Sequence, residues 1–229
     1  MIYVMSDLHG MVDKYKMMLE KLNLQPEDAL FVLGDVIDKG EDGIRILADM
    51  RYRSNIYPVL GEHEYFAKKL LPVFEDADSK EECESLLTDE TKGLYDLWMM
   101  SGGEPTLEGF FNLSGEDRDD YLGEFEPYEQ VEAAGRSYVL VHAGINGFDP
   151  QKALDDYEEQ DFISKPSDLS KVYFKNSFLV SGHIPTADLS KDGKARVISK
   201  NHQLRIDCGA YEGGKLAAVC LDTLKVYYV

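Results

Sequence analysis

The chain has 229 residues, 44% of them hydrophobic, and 43 acidic residues against 24 lysines and arginines give it a formal net charge of −19 at pH 7. That acidic excess argues against a nucleic-acid partner, because phosphate backbones recruit basic surfaces. No run approaches the ~18 uninterrupted apolar residues of a membrane span. The N-terminus enters an apolar run directly at Ile2-Tyr3-Val4-Met5, so neither a leader nor a membrane anchor is expected and the location reads as cytoplasmic. Cys83, Cys208 and Cys220 are odd in number and lack CxxC spacing, so they read as buried thiols in a reducing compartment.

The length suits one domain over 1–229 carrying an insertion. Residues 2–5 and 29–33 are short apolar runs of the kind buried strands make. Between them Val12, Tyr15, Leu19 and Leu22 recur at helical spacing. A second helix is expected over 42–52, with Ile44, Leu47 and Met50 on one side, and a third strand over 56–60 despite Pro58. Strand–helix repeats of this kind predict an α/β sheet with its chemistry at the carboxyl ends of the strands. From about 64 to 127 the pattern is helical and acidic, with Leu86, Leu87, Leu94, Leu97 and Trp98 in helical phase. Ser114 followed by Asp117 reads as a helix start there. Runs at 128–133 and 137–142 then form a hairpin across Ala134-Gly135-Arg136. Further strands are expected at 178–181, 195–199, 203–206, 216–221 and 224–229, the last two as another hairpin. The implied architecture has two sheets, one largely parallel and one largely antiparallel.

Four of the five histidines lie in short motifs that follow apolar runs: Ser6-Asp7-Leu8-His9-Gly10, Gly61-Glu62-His63-Glu64, Val141-His142-Ala143-Gly144 and Ser181-Gly182-His183-Ile184-Pro185. A further segment, Gly34-Asp35-Val36-Ile37-Asp38-Lys39-Gly40, carries two aspartates. Imidazoles and carboxylates spread along a chain, each at a strand end, are what a two-metal hydrolytic centre needs.

Together these blocks resemble the calcineurin-like metallophosphoesterase superfamily, and more narrowly the bacterial and phage branch of the phosphoprotein (serine/threonine) phosphatases. That branch shows Gly-Asp-x-His-Gly, Gly-Asp-x-x-Asp-Arg-Gly, Gly-Asn-His-Glu, a His-Ala-Gly block and Gly-His-Thr-Pro, and the order here is the same from residue 6 to residue 185. The tail from Arg205 to Leu216 is also similar to that branch. The resemblance implies a four-layer α/β/β/α sandwich with a helical insertion. It implies that Asp7 and His9 hold one divalent metal, that Asp35 bridges two, and that His142 and His183 hold the second. Glu62 stands at the position of a ligating asparagine. His63 would protonate the leaving oxygen, oriented by Asp38, after attack by a hydroxide shared between the metals. Manganese is the first choice of metal, with iron and zinc as alternatives, since the donors mix carboxylate and imidazole without thiolate.

The departures all touch phosphate handling. Glu62 replaces an amide ligand by a carboxylate, and Lys39 replaces an arginine, keeping the charge but losing the planar fork that grips two phosphate oxygens. Residues 143–182 contain no arginine where the family commonly places a second phosphate binder, and Lys165, Lys171 and Lys175 qualify only by sign. His202 reads as a surface histidine, and Tyr211 as an aromatic on a loop near the site. The expected activity is metal-dependent hydrolysis of phosphoesters, on a phosphorylated protein or a small phosphoester. A dinucleoside-tetraphosphate hydrolase and a weakly active metal-binding interaction protein are the two rivals.

Overall fold

Two five-stranded sheets carry the chain in the computed structural model, which describes residues 1–113 and 122–229. The first grows from β1 (Ile2–Met5), α1 (Val12–Leu22), β2 (Ala29–Leu33), α2 (Gly43–Arg51) and β3 (Ile56–Val59). β1 pairs parallel with β2, and β2 with β3, Pro58 included opposite Val32. Since proline has no N–H to donate, Pro58 is tolerated because β3 is the sheet's edge strand.

Beyond β3 come α3 (Glu62–Leu70), a 3₁₀ turn at Leu71–Phe74, α4 (Lys80–Leu86), α5 (Asp89–Met100) and α6 (Glu104–Phe111). Ser79 and Thr88 cap α4 and α5 through their side-chain oxygens. The helix start expected at Ser114 and Asp117 lies outside the described residues.

The second sheet holds β4 (Tyr128–Ala133), β5 (Arg136–Val141), β6 (Ser177–Ser181), β7 (Ile198–Lys200) and β8 (Gln203–Arg205), in the order β4-β5-β6-β8-β7. Ala134 and Gly135, both at positive φ (47° and 74°), close the β4–β5 hairpin as this two-residue turn requires. The short helices α7 (Glu159–Ile163) and α8 (Thr186–Leu189) flank β6 in sequence. Finally β9 (Ala217–Cys220) and β10 (Val226–Tyr228) return to the first sheet, where β9 lies antiparallel to β1.

The expected division into one largely parallel and one largely antiparallel sheet does not hold, since parallel and antiparallel pairs are equally represented in each. β5, β6 and β8 run parallel to one another, and each sheet combines parallel and antiparallel pairs. The long segments after β5 and β6 supply the crossovers that parallel strands need. A fully buried apolar run reads the same in either orientation, so the strands themselves carry no sign of direction.

Alternation along the strands builds the layers. Val4, Phe31, Leu33 and Val59 meet Tyr138, Leu140, Val180 and Leu204 in one apolar cluster between the sheets. Their neighbours Tyr3, Met5, Leu30 and Val32 join a second cluster with Tyr15, Met18, Ile46 and Leu47 of the helices. On the other sheet Val139, Val141 and Leu179 turn outward toward Phe162 and Ile163. The result is the α/β/β/α sandwich. All three cysteines are buried. Among the described residues no helix is long and apolar enough to cross a membrane.

Candidate metal centre

The loops at the carboxyl ends of β1, β2, β5 and β6, together with the start of α3 after β3, converge on one point. They bring Asp7 and His9, Asp35, Asp38 and Lys39, Glu62 and His63, His142, and His183. Main-chain bonds tie the first two loops together: Asp7 N–H donates to Gly34 O (3.1 Å), His9 N–H to Asp35 O (2.8 Å) and Gly10 N–H to Val36 O (2.8 Å). The chain bends sharply to do this. Asp7, His9, Asp35, Asp38, Lys39 and His183 all adopt positive φ, between 41° and 69°. Non-glycine residues avoid that region, and such strain gathers where a site over-determines its geometry.

Close packing explains two glycines of the motifs. A Cβ at Gly34 would come within 2.4 Å of Gly61 Cα and 2.9 Å of His142 Nδ1, and one at Gly182 within 2.0 Å of Asp7 Oδ2. Glu64, fully buried, braces the β2 loop. Its carboxylate accepts N–H bonds from Asp35 (2.7 Å), Val36 (2.7 Å), Ile37 (3.1 Å) and Gly61 (3.2 Å). From the opposite side Arg205, also fully buried, donates to Ala143 O, Ser181 Oγ and Ser167 Oγ, each at 2.7 Å. It therefore props the loops that carry His142 and His183 and does not face the cleft.

Asp35 is the centre of the arrangement. Its Oδ2 lies 3.4 Å from His142 Nε2, 3.7 Å from His9 Nε2 and 3.9 Å from His63 Nε2. Two sets of potential ligand atoms share it: His9, Asp35 and His63 form one, and Asp35, His142 and His183 the other. His142 Nε2 and His183 Nδ1 stand 3.0 Å apart. Asp7 and Glu62 belong to neither set. Both oxygens of Asp7 accept the His183 N–H at 3.1 Å, and Glu62 sits half-buried at the first position of α3.

The donor set fits a divalent cation. His142 Nδ1 lies 2.8 Å from Leu33 O and His9 Nδ1 3.2 Å from Ile37 O. A carbonyl only accepts, so Nδ1 carries the proton in both rings and Nε2 is turned toward Asp35. Backbone carbonyls orient metal-binding histidines in this way. Nitrogen and carboxylate oxygen without thiolate suit the borderline and harder divalent ions.

Electrostatics point the same way. Burial raises the Asp7 carboxyl well above its usual value, and the charges of Asp207 and Asp35 add to this. Burial also opposes ionisation of Asp35, yet the imidazoles of His142 and His63 hold it well below the usual range. For His142 burial works against the charge, but Asp35 outweighs it and lifts the pKa to about 10. His183 is driven down to about 4 by burial and by His142, and His9 to about 3, chiefly by burial. A ligating imidazole must be neutral, so a cation has to displace the second proton of His142. Loading the protein with a divalent metal at pH 7.5 is therefore expected to release about one proton or more per chain, read with an indicator dye in weak buffer. Loading without proton release would remove His142 from the ligand set.

His63 is placed differently from the other three. Its Nδ1 lies 2.6 Å from Asp38 Oδ2, and its Nε2 faces the centre. Burial disfavours the charged ring, but Asp35 and the hydrogen bond to Asp38 raise its pKa to about 9. Lys39 Nζ stands 3.0 Å from His9 Nε2. With His9 neutral and its proton on Nδ1, the ammonium is the donor in that contact.

The cleft over the site has a volume of about 290 Å³ and is lined by Asp7, His9, Lys39, His183, Asp207 and Tyr211, among others. Asp207 and Tyr211 were not assigned roles by the motifs. Asp207 is buried against the cleft, its pKa raised to about 6 by that burial, and its Oδ1 accepts Gly209 N–H at 2.8 Å. Tyr211 remains 41% exposed, its ring centroid 6.0 Å from that of His9 and its hydroxyl donating to Lys39 O at 3.3 Å. Lys14 holds this loop against α1 by donating to Ala210 O (2.6 Å) and Gly214 O (2.8 Å). His202 is exposed, and its ring lies tilted against that of Phe178 with centroids 5.1 Å apart.

A family model, calcineurin-like phosphoesterase, matches residues 1–208. A symmetrical bis(5'-nucleosyl)-tetraphosphatase of Haemophilus ducreyi is 28% identical over 146 residues, covering 63% of this chain and 45% of that protein. A Caenorhabditis elegans protein provisionally described as a serine/threonine-protein phosphatase is 34% identical over 68 residues, 28% of this chain and 19% of its own length. The chain thus spans less than half the length of the curated relatives it matches. Among solved structures, one provisionally described as a diadenosine tetraphosphatase aligns with a TM-score of 0.65 at 18% identity, over 100% of this chain and 92% of that one.

Proposed function

The chain belongs to the calcineurin-like phosphoesterase family, and we propose that it is a metal-dependent phosphoester hydrolase whose single domain, with the helices between β3 and β4 as an insertion, is built around Asp35. The observation that carries this reading is the position of Asp35 Oδ2, within 3.9 Å of three imidazole nitrogens on three different loops. His9 and Asp35, with Asp7 beside them, would hold one divalent cation, and Asp35, His142 and His183 the other. When bound, the cations would supply Lewis acidity to the phosphate oxygens and lower the pKa of an attacking water. Manganese is the first expectation, ahead of iron or zinc.

The chain's own part in the chemistry is proton delivery and charge placement. Against the effect of burial, Asp35 and Asp38 favour the protonated form of His63, with one N–H on Asp38 and the other facing the centre beside Asp35. As the phosphorus–oxygen bond breaks, the Nε2–H bond breaks and an O–H bond forms on the leaving alcohol. The ring ends neutral and keeps Nδ1–H on Asp38. Lys39 is the cation among the cleft's lining residues, against the carboxylates of Asp7, Asp207 and Glu212. It meets a phosphate as a point charge without the bidentate grip of arginine.

A phosphomonoester, such as a phosphorylated side chain, is the first reading, because a polyphosphate chain reaching past the cations would meet the carboxylates of Asp207 and Glu212 with Lys39 as the cationic side chain in that lining. A dinucleoside tetraphosphate is the second reading, favoured by the similarity to tetraphosphatases. Parallel assays of a phosphoserine peptide, p-nitrophenyl phosphate and diadenosine tetraphosphate, each with manganese, iron and zinc, decide between them. A kcat/KM larger for the tetraphosphate overturns the first reading, and no turnover with any metal overturns both.

Glu62 bears on the same balance. Burial raises its pKa, with the charge of Asp35 as the next cause. Glu62→Asn removes a negative charge beside the docking phosphate. It is expected to raise phosphomonoesterase turnover at saturating metal by about tenfold and to weaken metal binding. Adding Lys39→Arg should raise turnover further. An unchanged metal affinity and pH–rate profile in Glu62→Asn would place Glu62 outside the metal's ligands.

A further inference from the structure

Of the helices between β3 and β4, α5 and α6 reach back to the loop that carries Asp38 through the side chains of Trp98 and Thr106. Trp98 on α5 is fully buried and is the chain's single tryptophan. Its indole Nε1–H donates to Asp38 Oδ2 at 2.8 Å, the same oxygen that receives His63 Nδ1–H at 2.6 Å. The other oxygen, Asp38 Oδ1, is buried and makes no hydrogen bond among the described residues, although the Thr106 hydroxyl also stabilises the charge of this carboxyl. The backbone around Asp38 is fastened by the same helical segment. Asp38 N–H donates to Thr106 Oγ1 (3.0 Å) on α6, and Lys39 N–H to Gly102 O (2.8 Å). Gly103 leaves the room this requires, since a Cβ there would lie 2.5 Å from Trp98 Nε1.

A carboxylate held by a single donor is free to turn about its Cβ–Cγ bond unless something else fixes it. His63 alone does not, because either oxygen can receive its N–H. The indole does, because it lies in a packed core and approaches from one side. Fixing Asp38 fixes the plane of the His63 ring, and so the direction in which Nε2–H points.

We propose that Trp98 is a positioning residue for proton delivery, acting through Asp38 to aim His63 at the leaving oxygen. This rests on the reading of His63 as the proton donor, and it gives the helical insertion a role in the chemistry as well as in packing.

Trp98→Phe keeps a buried aromatic ring and removes the N–H. In the metal-loaded protein it lowers kcat for an alkyl phosphate by about 10–100-fold, the effect of losing one hydrogen bond to a charged group. Turnover of p-nitrophenyl phosphate, whose leaving group departs without a proton, is little changed, and so are KM and metal content. An equal loss on both esters, or a loss carried by KM, overturns the proposal, because damage to packing does not discriminate between leaving groups.

A second measurement does not depend on the folding of that variant. With one tryptophan, the indole N–H gives one cross-peak in a ¹H–¹⁵N spectrum of the magnesium-loaded protein. That peak is shifted downfield and protected from exchange in the natural chain, and Asp38→Ala moves it upfield. A peak at the position of a free indole, or one that Asp38→Ala leaves in place, overturns the proposal. His63→Asn run alongside separates the two readings. If that variant shows no leaving-group selectivity, the donor assignment falls and the inference with it. If it is selective and Trp98→Phe is not, the inference alone falls.

Discussion

His63→Asn is expected to slow hydrolysis of esters with poor leaving groups by ~10²–10⁴-fold and to spare esters of acidic phenols. The main chain at this position donates to Asp35 Oδ1 (3.2 Å), and asparagine preserves that bond, so the centre should keep its shape and its metals. What asparagine cannot do is release a proton. Steady-state kinetics on an alkyl phosphate and on p-nitrophenyl phosphate, with metal content matched between proteins, measure the difference. Equal losses on both would make His63 a structural partner of Asp38.

The same assignment predicts a pH dependence. The folded pKa of His63 is raised, to about 9, by Asp35 and Asp38 against the effect of burial. The protonated ring is the donor, so activity on poor leaving groups is retained below that pKa and lost as pH rises through it. Cations beside Asp35 offset its charge and bring this limb below 9. In His63→Asn the limb should vanish from the alkyl phosphate profile.

The strands that position the centre were legible because each is a short apolar run closed by glycine or aspartate. β1, β2 and β3 fall at their expected places within a residue. Strand direction in the second sheet was not legible, for β5, β6 and β8 are buried on both faces and carry no polarity signal. The loops that carry the motif residues converge, although Asp7 and Glu62 fall outside both sets of ligand atoms, and sequence carried no sign of the left-handed backbone at Asp7, Asp35 and Asp38, which loop-to-loop bonds impose. Glu64 stood inside a recognised motif, but its role as acceptor for four backbone N–H groups depends on the fold of a loop distant in sequence. Trp98 showed only as one apolar member of a helical stripe, since a core position and a hydrogen bond to Asp38 leave the same trace in a heptad pattern. Asp207 and Tyr211 lay in the tail beyond the last histidine motif, where no metal-ligand spacing marked them.

Asp35→Asn is the sharpest test of the metal assignment. Purified protein loaded with manganese and desalted is expected to hold about two ions per chain, and this variant should lose affinity at both positions together. The reason is geometric: Oδ2 faces His9 on one side and His142 on the other. Asparagine occupies the same volume but brings a neutral oxygen or an NH₂ group to that point. The drop in affinity should exceed the ~10–100-fold typical of a residue that only orients a ligand. His183→Ala gives the contrast, because His183 belongs to one ligand set, and its loss should empty one position while the other still fills. Elemental analysis across a metal titration distinguishes the patterns. If Asp35→Asn behaves like His183→Ala and gives up one ion, the carboxylate is an ordinary ligand of one cation and the bridge does not exist.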